Sequence, residues 1–447
     1  VEGGSFTDGT AILTAGTLTA NCIQHDDTTI IQANTITTTY EDSWNQLGST
    51  IEGEAANDYF GYAVSLSDDG TIMAVGARYY DGTDGDDQGY VKVYEYDGTS
   101  WNQLGSSIEG EASDDQSGRS VSLSSDGTIV AIGAPYNDGG GGDSGHVRVY
   151  EWNGISWNQL GDDIDGEAGS DLSGWSVSLS SDGTIVAIGA IYNDGTANAA
   201  GHVRVFKWDG TSWNILTDST GISGEFDGDA ANDYFGNSVS LSGDGTVVAA
   251  GARLNDVGES NVNYDAGHVK VYEYTTTPPI TQNNVTITGT TLTDGTANLA
   301  SGALTGNVIG TVFGDLIGNV TATTMTDGIA TLASGTLTTN CIQYDDTSII
   351  QGKTLTLVSG TISWNQLGDD IDGEAEQDRS GWSVSLSSDG TIMAAGAIQN
   401  DGTGSEAGHV RVYEWDGNSW NQLGDDIDGD AANAYSGWSV SLSSDGT

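Results

Sequence analysis

The chain has 447 residues with 64 acidic and 11 basic side chains, which gives a formal net charge of -53 at pH 7. This balance excludes nucleic acid as a partner, because proteins that follow a phosphate backbone concentrate Lys and Arg. The 66 glycines follow no Gly-X-Y period, and no apolar run approaches the ~20 residues of a membrane span, so collagen-like and membrane-spanning chains are excluded too.

The first 42 residues are rich in Thr, Ile and Leu and carry short alternating runs. Alternation of apolar and polar residues is typical of strands, so we predict a β-rich connector module over residues 1–42. Cys22 lies in an NCIQ motif that returns with Cys341. The two cysteines form either a disulfide between units or chains, or two free buried thiols.

The hexapeptide SWNQLG follows at Ser43–Gly48 and recurs along the chain, with a sixth, altered copy that reads SWNILT. The first four tryptophans of the series are 57, 56 and 56 residues apart, a period typical of propeller blades or solenoid coils. We predict that each Trp is wedged between blades, where it buries a large apolar area. These tryptophans are Trp44, Trp101, Trp157, Trp213, Trp364 and Trp420.

One period contains four strand signals. Ser120–Ser124 alternates, an Asp-Gly turn follows, Thr128–Ala134 is a continuous apolar run, and His146–Trp152 alternates again before WNQLG ends the set. Asp-Gly between two such runs is a strong hairpin signal. The pattern predicts an all-β fold of four-stranded antiparallel propeller blades.

The count of strands predicts how the ring closes. The first three strand signals of the repeat occur together four times, beginning near Tyr62, Gly118, Gly174 and Gly236. The fourth group ends at Tyr274, and no SWNQLG follows it directly. An open blade edge favours aggregation, so we predict that the N-terminal SWNQLG completes the fourth blade and makes residues 43–274 a four-bladed propeller. The alternative is a larger ring that another chain completes.

The region after the fourth set repeats the N-terminal pattern. Residues 275–362 begin with a Pro-containing hinge and continue with a copy of the Thr-rich segment, which predicts a second connector module. The spacing predicts a tandem super-repeat of about 320 residues, with residues 363–447 as the start of a second propeller. Two Asn-X-Thr sequons in this region, at Asn284 and Asn319, are candidate glycosylation sites in a secreted protein.

An acidic element, [IF]-[ED]-G-[ED]-A, recurs along the chain and is followed by an Asp three residues after its Ala in five of six copies. Carboxylates and backbone carbonyls around a Gly turn suit Ca²⁺. The alternative is an exposed turn whose acids keep the surface hydrated. The candidate calcium ligands are Glu52, Glu54, Asp58, Glu109, Glu111, Asp115, Asp163, Asp165, Glu167 and Asp171.

Basic and imidazole side chains also recur in register. Four of the five histidines occupy the second position of the motif GHV[RK]V, and Tyr90 replaces the histidine in the first blade. This replacement argues for a role in packing or hydrogen bonding rather than for a zinc ligand. Two residues later stands a Lys or Arg, for which cross-strand pairing with acids is the favoured role and a basic ligand ring the second.

The blades resemble the FG-GAP repeats of integrin α-chain heads and other surface proteins. Tyr59–Ala77 and Tyr234–Ala252 carry FG, and GAP stands at Gly133–Pro135. The resemblance implies β-propellers that act outside the cell in adhesion or recognition. Integrin-type repeats often place a calcium loop between FG and GAP; here SDDGT or SSDGT is too short for one.

Near-identical blades without a catalytic constellation predict a non-enzymatic protein. Our first interpretation is a structural subunit of an extracellular filament or surface appendage, a virion fibre included, that self-associates like beads on a rod. Our second is an adhesion or glycan-binding module whose variable blade loops bind glycans or other surface proteins. The only cofactor that the pattern suggests is Ca²⁺.

Overall fold

A pattern of short antiparallel strands repeats through the computed structural model of the chain. The structure describes residues 44–82, 85–217, 223–256, 264–276 and 362–446, together with short strands in the remaining ranges. Among the described residues, no helix is long and apolar enough to cross a membrane. The regular structure described is β throughout, as the alternating sequence predicts.

One unit comprises residues 1–50 and 98–100. Its strands are β1 (Ile12–Thr14), β2 (Thr17–Thr19), β3 (Ile23–Gln24), β4 (Ile30–Ile31) and β5 (Ile36–Thr37). β2 pairs with both β1 and β5, and β3 pairs with β4. Cys22 lies outside the described residues, so a disulfide between units or chains and a pair of free thiols remain alternative predictions for Cys22 and Cys341.

The second unit comprises residues 51–97 and 101–447 and contains the blades. Blade 1 consists of β6 (Phe60–Leu66), β7 (Ile72–Ala77), β8 (Tyr90–Tyr96), β9 (Trp101–Gln103) and β10 (Ile108–Glu109). Blade 2 consists of β11 (Ser120–Leu123), β12 (Ile129–Ala134), β13 (His146–Trp152), β14 (Trp157–Gln159) and β15 (Ile164–Asp165). Blade 3 consists of β16 (Ser173–Leu179), β17 (Ile185–Ala190), β18 (His202–Trp208), β19 (Trp213–Ile215) and β20 (Glu225–Asp227).

Each blade is a four-stranded antiparallel sheet whose outer strand comes in two pieces. In blade 2, β14 pairs with the end of β13, where Trp157 faces Trp152, and β15 pairs with its start, where Asp165 faces His146. The second piece is the Ile-Asp of the acidic element. The predicted acidic turn therefore begins as part of the outer strand.

The core lies between successive blades. The second strand is the most buried, because a neighbouring sheet covers each of its faces; Val186, Ala187 and Ile188 of β17 are at most 1% exposed. One cluster joins Val147 and Val149 of blade 2 to Leu179 of blade 3, and equivalent clusters join the other neighbours. This continuous apolar run was the feature that marked an inner strand in the sequence.

Blade 4 begins with β21 (Phe235–Leu241), β22 (Val247–Ala252) and β23 (His268–Thr276). Eight short strands follow: β24 (Thr286–Thr288), β25 (Asn298–Ala300), β26 (Ala303–Thr305), β27 (Thr331–Ala333), β28 (Thr336–Thr338), β29 (Ile342–Gln343), β30 (Ile349–Gln351) and β31 (Leu355–Thr356). β28 pairs with β27 and β31 in the same pattern as β2 with β1 and β5. The predicted sites Asn284, Asn319 and Cys341 lie outside the described residues.

The strand that completes blade 4 is β32 (Ile362–Gln366), supported by β33 (Ile371–Asp372). The prediction that Ser43–Gly48 fills this place is therefore wrong. Trp364 faces Tyr274, whereas Trp44 is fully exposed and residues 44–48 form no strand. Thr276 pairs directly with Ile362, so the intervening segment leaves the blade and returns to it at one point.

The blades continue after this segment. Blade 5 consists of β34 (Ser380–Leu386), β35 (Ile392–Ala397), β36 (His409–Trp415), β37 (Trp420–Gln422) and β38 (Ile427–Asp428). Val384 and Leu386 of β34 pack on Val269 and Val271 of blade 4. Residues 363–446 thus extend the first array and do not start a second propeller, and closure by four blades is not what the structure contains.

Candidate functional site: the junction between blades

The glycines of the FG and GA pairs meet where one blade packs on the next. Gly174 has a φ of +86°, and a Cβ on Gly133 of the preceding blade would lie 2.1 Å from the Gly174 carbonyl oxygen. The Ser120 hydroxyl donates a hydrogen bond of 2.8 Å to that same oxygen. Only glycine tolerates both the positive φ and this approach of two backbones. The equivalent pairs are Gly76–Gly118, Gly189–Gly236, Gly251–Gly381 and Gly396–Gly437.

The tryptophan of SWNQLG connects its blade to the preceding one. The indole N–H of Trp157 donates a 3.0 Å hydrogen bond to the carbonyl of Leu104, and its ring lies 5.4 Å from that of Trp152. Gly105 sits beneath these rings, and a Cβ there would lie 2.8 Å from Trp152. The same bond joins Trp213 to Leu160, Trp364 to Leu216 and Trp420 to Leu367. One hexapeptide therefore supplies both the donor for one junction and the acceptor for the next.

The hairpin tips are linked from blade to blade through the backbone. The Ser125 N–H donates to the Ser181 carbonyl at 2.9 Å, and the Ser181 N–H donates to the Gly243 carbonyl at 2.7 Å. The same bond from a backbone N–H to a carbonyl joins Asp68 to Ser125, Gly243 to Ser388 and Ser388 to Ser444. Hydrogen bonds from Ser387 and then from Thr391 lower the pKa of Asp389 in its tip. The carboxylate of the SSDGT turn is thus held by its own turn.

The Asp that follows the acidic element in five of its six copies is buried and faces the backbone. Asp171 is 4% exposed and accepts hydrogen bonds of 3.0 Å from the Ala168 N–H and from the Asn193 side chain. Asp115 and Asp58 bond in the same way to Ala112 and Ala55. These carboxylates organise the turn that leads into each blade. Asn137, Asn255 and Asn400 take the place of Asn193 in blades 2, 4 and 5.

The remaining acids meet a basic residue of the third strand. In blade 2, Arg148 donates to the Glu109 carbonyl at 2.6 Å and lies 3.7 Å from the Glu111 carboxylate. Nδ1 of His146 lies 3.5 Å from Asp163 Oδ2. The hydrogen bond with His146, ahead of one from Gln159, lowers the pKa of Asp163. The basic side chain of blade 2 therefore meets acidic residues across the junction. In blade 5 the predicted cross-strand pairing is also present, because Arg411 bonds to Asp426 of its own blade.

We call this group of two carboxylates, a histidine and a cation the junction cluster. It consists of Glu111, His146, Arg148 and Asp163 in blade 2, of Asp229, His268, Lys270 and Asp370 in blade 4, and of Glu374, His409, Arg411 and Asp426 in blade 5. In blade 1, Lys92 pairs with Glu54 beside Tyr90. In blade 3, His202 lies 3.0 Å from Asp227 in a cavity of about 440 Å³ that Glu167 also lines.

The junction cluster has donors that could hold a metal ion, but a protein cation already occupies the charged position. Arg411 donates to both oxygens of Asp426, at 2.9 and 3.0 Å, and also pairs with Glu374. A divalent ion would have to displace this guanidinium. The imidazole also makes the donor set unlike an all-oxygen calcium cage. The geometry thus favours a charge network.

The structure does not gather the ten predicted calcium ligands into one kind of site. Asp58, Asp115 and Asp171 hold turns, Glu54, Glu111 and Asp163 belong to charged pairs, and Glu167 is exposed beside Asn193. Glu52 is exposed, Glu109 contributes its carbonyl, and burial raises the pKa of Asp165. Calcium binding stays a prediction for these residues.

Sequence reasoning missed the partners of the acids. The Asn after the GA pair recurs in register, as Asn137 and Asn193 show, and this recurrence was the available signal. It also missed four arginines that the blades bring together: Arg78, Arg119, Arg253 and Arg379. Arg78 and Arg253 share the position after a GA pair, whereas Arg119 and Arg379 stand at other positions, so the four charges follow no single periodic signal.

Comparison with known proteins agrees with the blade geometry. Residues 50–94, 109–150 and 227–272 match the FG-GAP repeat. The chain thus contains FG-GAP repeats and β-propeller blades. No curated protein matches it.

Two solved structures share a distant overall similarity. The periplasmic gluconolactonase of Pseudomonas aeruginosa is 12% identical with a TM-score of 0.32, over 82% of this chain and 84% of that one. The hydrazine synthase of Kuenenia stuttgartiensis is 12% identical with a TM-score of 0.34, over 90% of this chain and 94% of that one.

Proposed function

We propose that the protein is a non-catalytic structural subunit of an extracellular filament or surface appendage. The observation that carries this proposal is the repetition of one junction through the blades. The recurring Gly, Trp and buried Asp of the motifs each make a bond or contact within or between blades, as Trp157, Asp171 and Gly174 do. Recurring residues whose contacts hold the blades together support a structural role rather than a catalytic one.

The extracellular setting is supported by the FG-GAP repeats, which are typical of extracellular proteins, and by the acidic composition, which favours solubility. A cell-surface hair and a virion fibre fit these features equally well. In either setting the partner is another copy of the chain.

Self-association is supported by β6, the first strand of blade 1. Val64 and Leu66 of β6 are 62% and 56% exposed, whereas their equivalents Val177 and Leu179 in blade 3 are at most 9% exposed because blade 2 covers them. An apolar sheet face of this kind is suited to receive another blade. We propose that a neighbouring copy covers Val64 and Leu66 in the assembled filament.

Negative-stain electron microscopy and light scattering test the assembly. We expect the wild-type protein to form filaments of regular axial spacing. Leu66→Lys should leave monomers of unchanged melting temperature, because Leu66 is exposed before assembly. The matched control is Ile155→Lys, at a loop residue that is 83% exposed. Dispersed wild-type particles, or filaments of Leu66→Lys, would reject the structural role.

One observation favours a second function, which is ligand binding. Arginine and aromatic side chains of several blades meet near the start of the first strand of a blade, as the contact of Arg119 with Trp175 shows. This arrangement supports the adhesion or glycan-binding interpretation, which does not require a filament.

A further inference from the structure

Four arginines from different blades gather in one place, and we call them with their aromatic neighbours the arginine–aromatic cluster. Arg78, Arg119, Arg253 and Arg379 belong to blades 1, 2, 4 and to the entry of blade 5. Burial, followed by the charges of Arg78 and Arg253 among its neighbours, lowers the pKa of Arg119 to about 10. Burial and then the charge of Arg379 lower the pKa of Arg253. Arg78 and Arg119 also share one ring, because their Cζ atoms lie 4.0 and 5.1 Å from the ring centre of Tyr62, so basic residues are concentrated here in a chain that has only 11 of them.

Among the residues that the structure describes, these four charges have no carboxylate partner. In the described ranges, no Asp or Glu oxygen lies within 4.0 Å of these four guanidiniums, whereas most third-strand cations are ion-paired, as Arg148 and Lys270 are. The Nε atoms of Arg78, Arg119 and Arg379 are buried without a hydrogen-bond partner. Desolvated cations are costly unless an anion or a polar partner meets them. The cluster thus has positive charge that no carboxylate of the described residues offsets, and this charge favours an anionic group.

Aromatic rings hold the guanidiniums from one side. The Cζ atom of Arg78 lies 4.0 Å from the ring centre of Tyr62, and that of Arg119 lies 3.9 Å from Trp175. Arg253 lies 4.9 Å from the ring centre of Trp382. A stacked guanidinium keeps its edge N–H groups available for a planar oxyanion.

Ring surface is also open to a ligand. Trp438, whose ring centre lies 4.9 Å from that of Trp382, is 59% exposed, and Tyr62 is 40% exposed. Exposed rings beside guanidiniums suit a ligand with an apolar C–H face next to its charge. A saccharide ring has such a face.

The surroundings limit the charge of the ligand. Asp87 lies near Arg78, Asp265 lies near Tyr234, and Glu406 accepts a 2.6 Å hydrogen bond from the Tyr435 hydroxyl. With a net charge of -53 beyond this rim, a polyanion is repelled at long range. We propose that the arginine–aromatic cluster binds a saccharide that carries a single carboxylate, such as the acidic sugar at the end of a glycan chain. The carboxylate bonds to Arg119 and its neighbours, and the sugar ring stacks on the exposed aromatic rings.

Isothermal titration calorimetry of the whole chain tests the proposal with four probes: sialyllactose, glucuronic acid, lactose and a heparin hexasaccharide. We expect sialyllactose and glucuronic acid to bind and lactose to bind at least tenfold more weakly. The heparin fragment should also bind more weakly than sialyllactose at 50 mM salt. Salt at about 500 mM should weaken the binding of the acidic sugars several-fold, because it screens the attraction between carboxylate and guanidinium.

Variants locate the site. Arg119→Gln should weaken sialyllactose binding about tenfold or more, and Arg253→Lys should weaken it less, because it keeps the charge and loses the planar fork. Lys207→Gln removes one positive charge from an exposed position outside the cluster and should change nothing. If Arg119→Gln does not fold, Arg253→Lys and Trp438→Ala supply the same comparison.

Equal binding of lactose and sialyllactose would overturn the role of the carboxylate. Tighter binding of heparin would show a polyanion surface instead, and no binding of any acidic sugar at 10 mM would reject the site. None of these outcomes depends on filament formation, so the two proposals fail independently.

Discussion

The indole N–H of Trp213 donates a 2.9 Å hydrogen bond to the carbonyl of Leu160 in the preceding blade. The two residues belong to successive copies of one hexapeptide. The copy at Ser156–Gly161 therefore bonds in both directions, since Trp157 donates to Leu104 and Leu160 accepts from Trp213, which gives the recurrence of the hexapeptide a structural reason.

Trp213→Phe should destabilise the protein by about 1–2 kcal/mol, because the Leu160 carbonyl loses its donor at a packed junction. The free energy of unfolding in urea measures the effect. Trp44→Phe is the control from the same motif, and we expect a change within about 0.5 kcal/mol because Trp44 is exposed. Equal losses in both variants would show that the junction bond contributes nothing.

Asp171→Asn should cost about 1–3 kcal/mol, because the two hydrogen bonds that Oδ2 accepts from the Ala168 N–H and the Asn193 amide lose the charge of their acceptor, and a new NH2 group is buried beside them. Asp162→Asn, at an exposed position of the same acidic segment, should be nearly neutral. Denaturant titration of both variants checks the difference. A neutral Asp171→Asn would mean that this buried carboxylate does not organise the turn.

Gly174→Ala should destabilise the protein by several kcal/mol, since a Cβ there would lie 2.4 Å from the His146 carbonyl oxygen at a φ of +86°. Gly154→Ala separates the two causes, because Gly154 has a φ of +91° but nothing within 4 Å. We expect it to cost only about 1–2 kcal/mol, the penalty of the left-handed backbone. Similar thermal melting of the two variants would argue against the close approach of the blades.

Acid should destabilise the protein in a window set by a buried imidazole. Burial lowers the pKa of His268 to about 4, in a site that also contains Asp370, Lys270 and Asp229. The unfolded chain takes up this proton near pH 6.5 and the folded one does so only near pH 4, so stability is complete above pH 6.5 and falls as the pH drops between these values.

The slope of this fall is up to about 1.4 kcal/mol per pH unit for each such histidine. Urea denaturation at pH 7, 6, 5 and 4.5 measures it, and His268→Gln should flatten it by about one proton. His409, whose pKa burial also lowers, contributes in the same direction. An unchanged slope in His268→Gln would assign the acid sensitivity elsewhere.

Calcium should have little effect on stability, because Arg411 and its equivalents already neutralise the junction carboxylates. A site occupied at 100 times its Kd would add about 2.7 kcal/mol and shift the melting temperature by several degrees. We expect 1 mM Ca²⁺ and excess EGTA to give the same melting curve. A calcium-dependent rise that Glu374→Gln removes would establish the ion at the junction.

The strands of the blades were predictable from local pattern. Ser120–Ser124 and His146–Trp152 alternate in the sequence, and the structure places strands at Ser120–Leu123 and His146–Trp152. The FG and GA glycines were recognisable as a motif as well. Their reason, the contact between Gly133 and Gly174, was not visible, because it joins residues of different blades.

The acidic element was recognised but not understood. Its regular Asp suggested a metal ligand, whereas Asp171 accepts bonds from Ala168 and Asn193. A carboxylate that accepts backbone and amide N–H groups leaves the same trace in a sequence as one that binds an ion. The arginine–aromatic cluster left only a partial trace. Arg78 and Arg253 both follow a GA pair, but no local pattern shows that they meet Arg119, which stands at another position of its repeat.

The sequence by itself determined the blade, because the two-residue period of a pleated strand and the turn chemistry of Asp-Gly are local properties. Only the tertiary structure decided which copy of SWNQLG completes blade 4. The copies at Ser43 and Ser363 are identical, so local preference cannot choose between them. Pairing of Thr276 with Ile362 and of Val269 with Ile371 extends the contact of the second copy along β23. Pairing between residues far apart in the chain thus decided which of two identical hexapeptides completes blade 4.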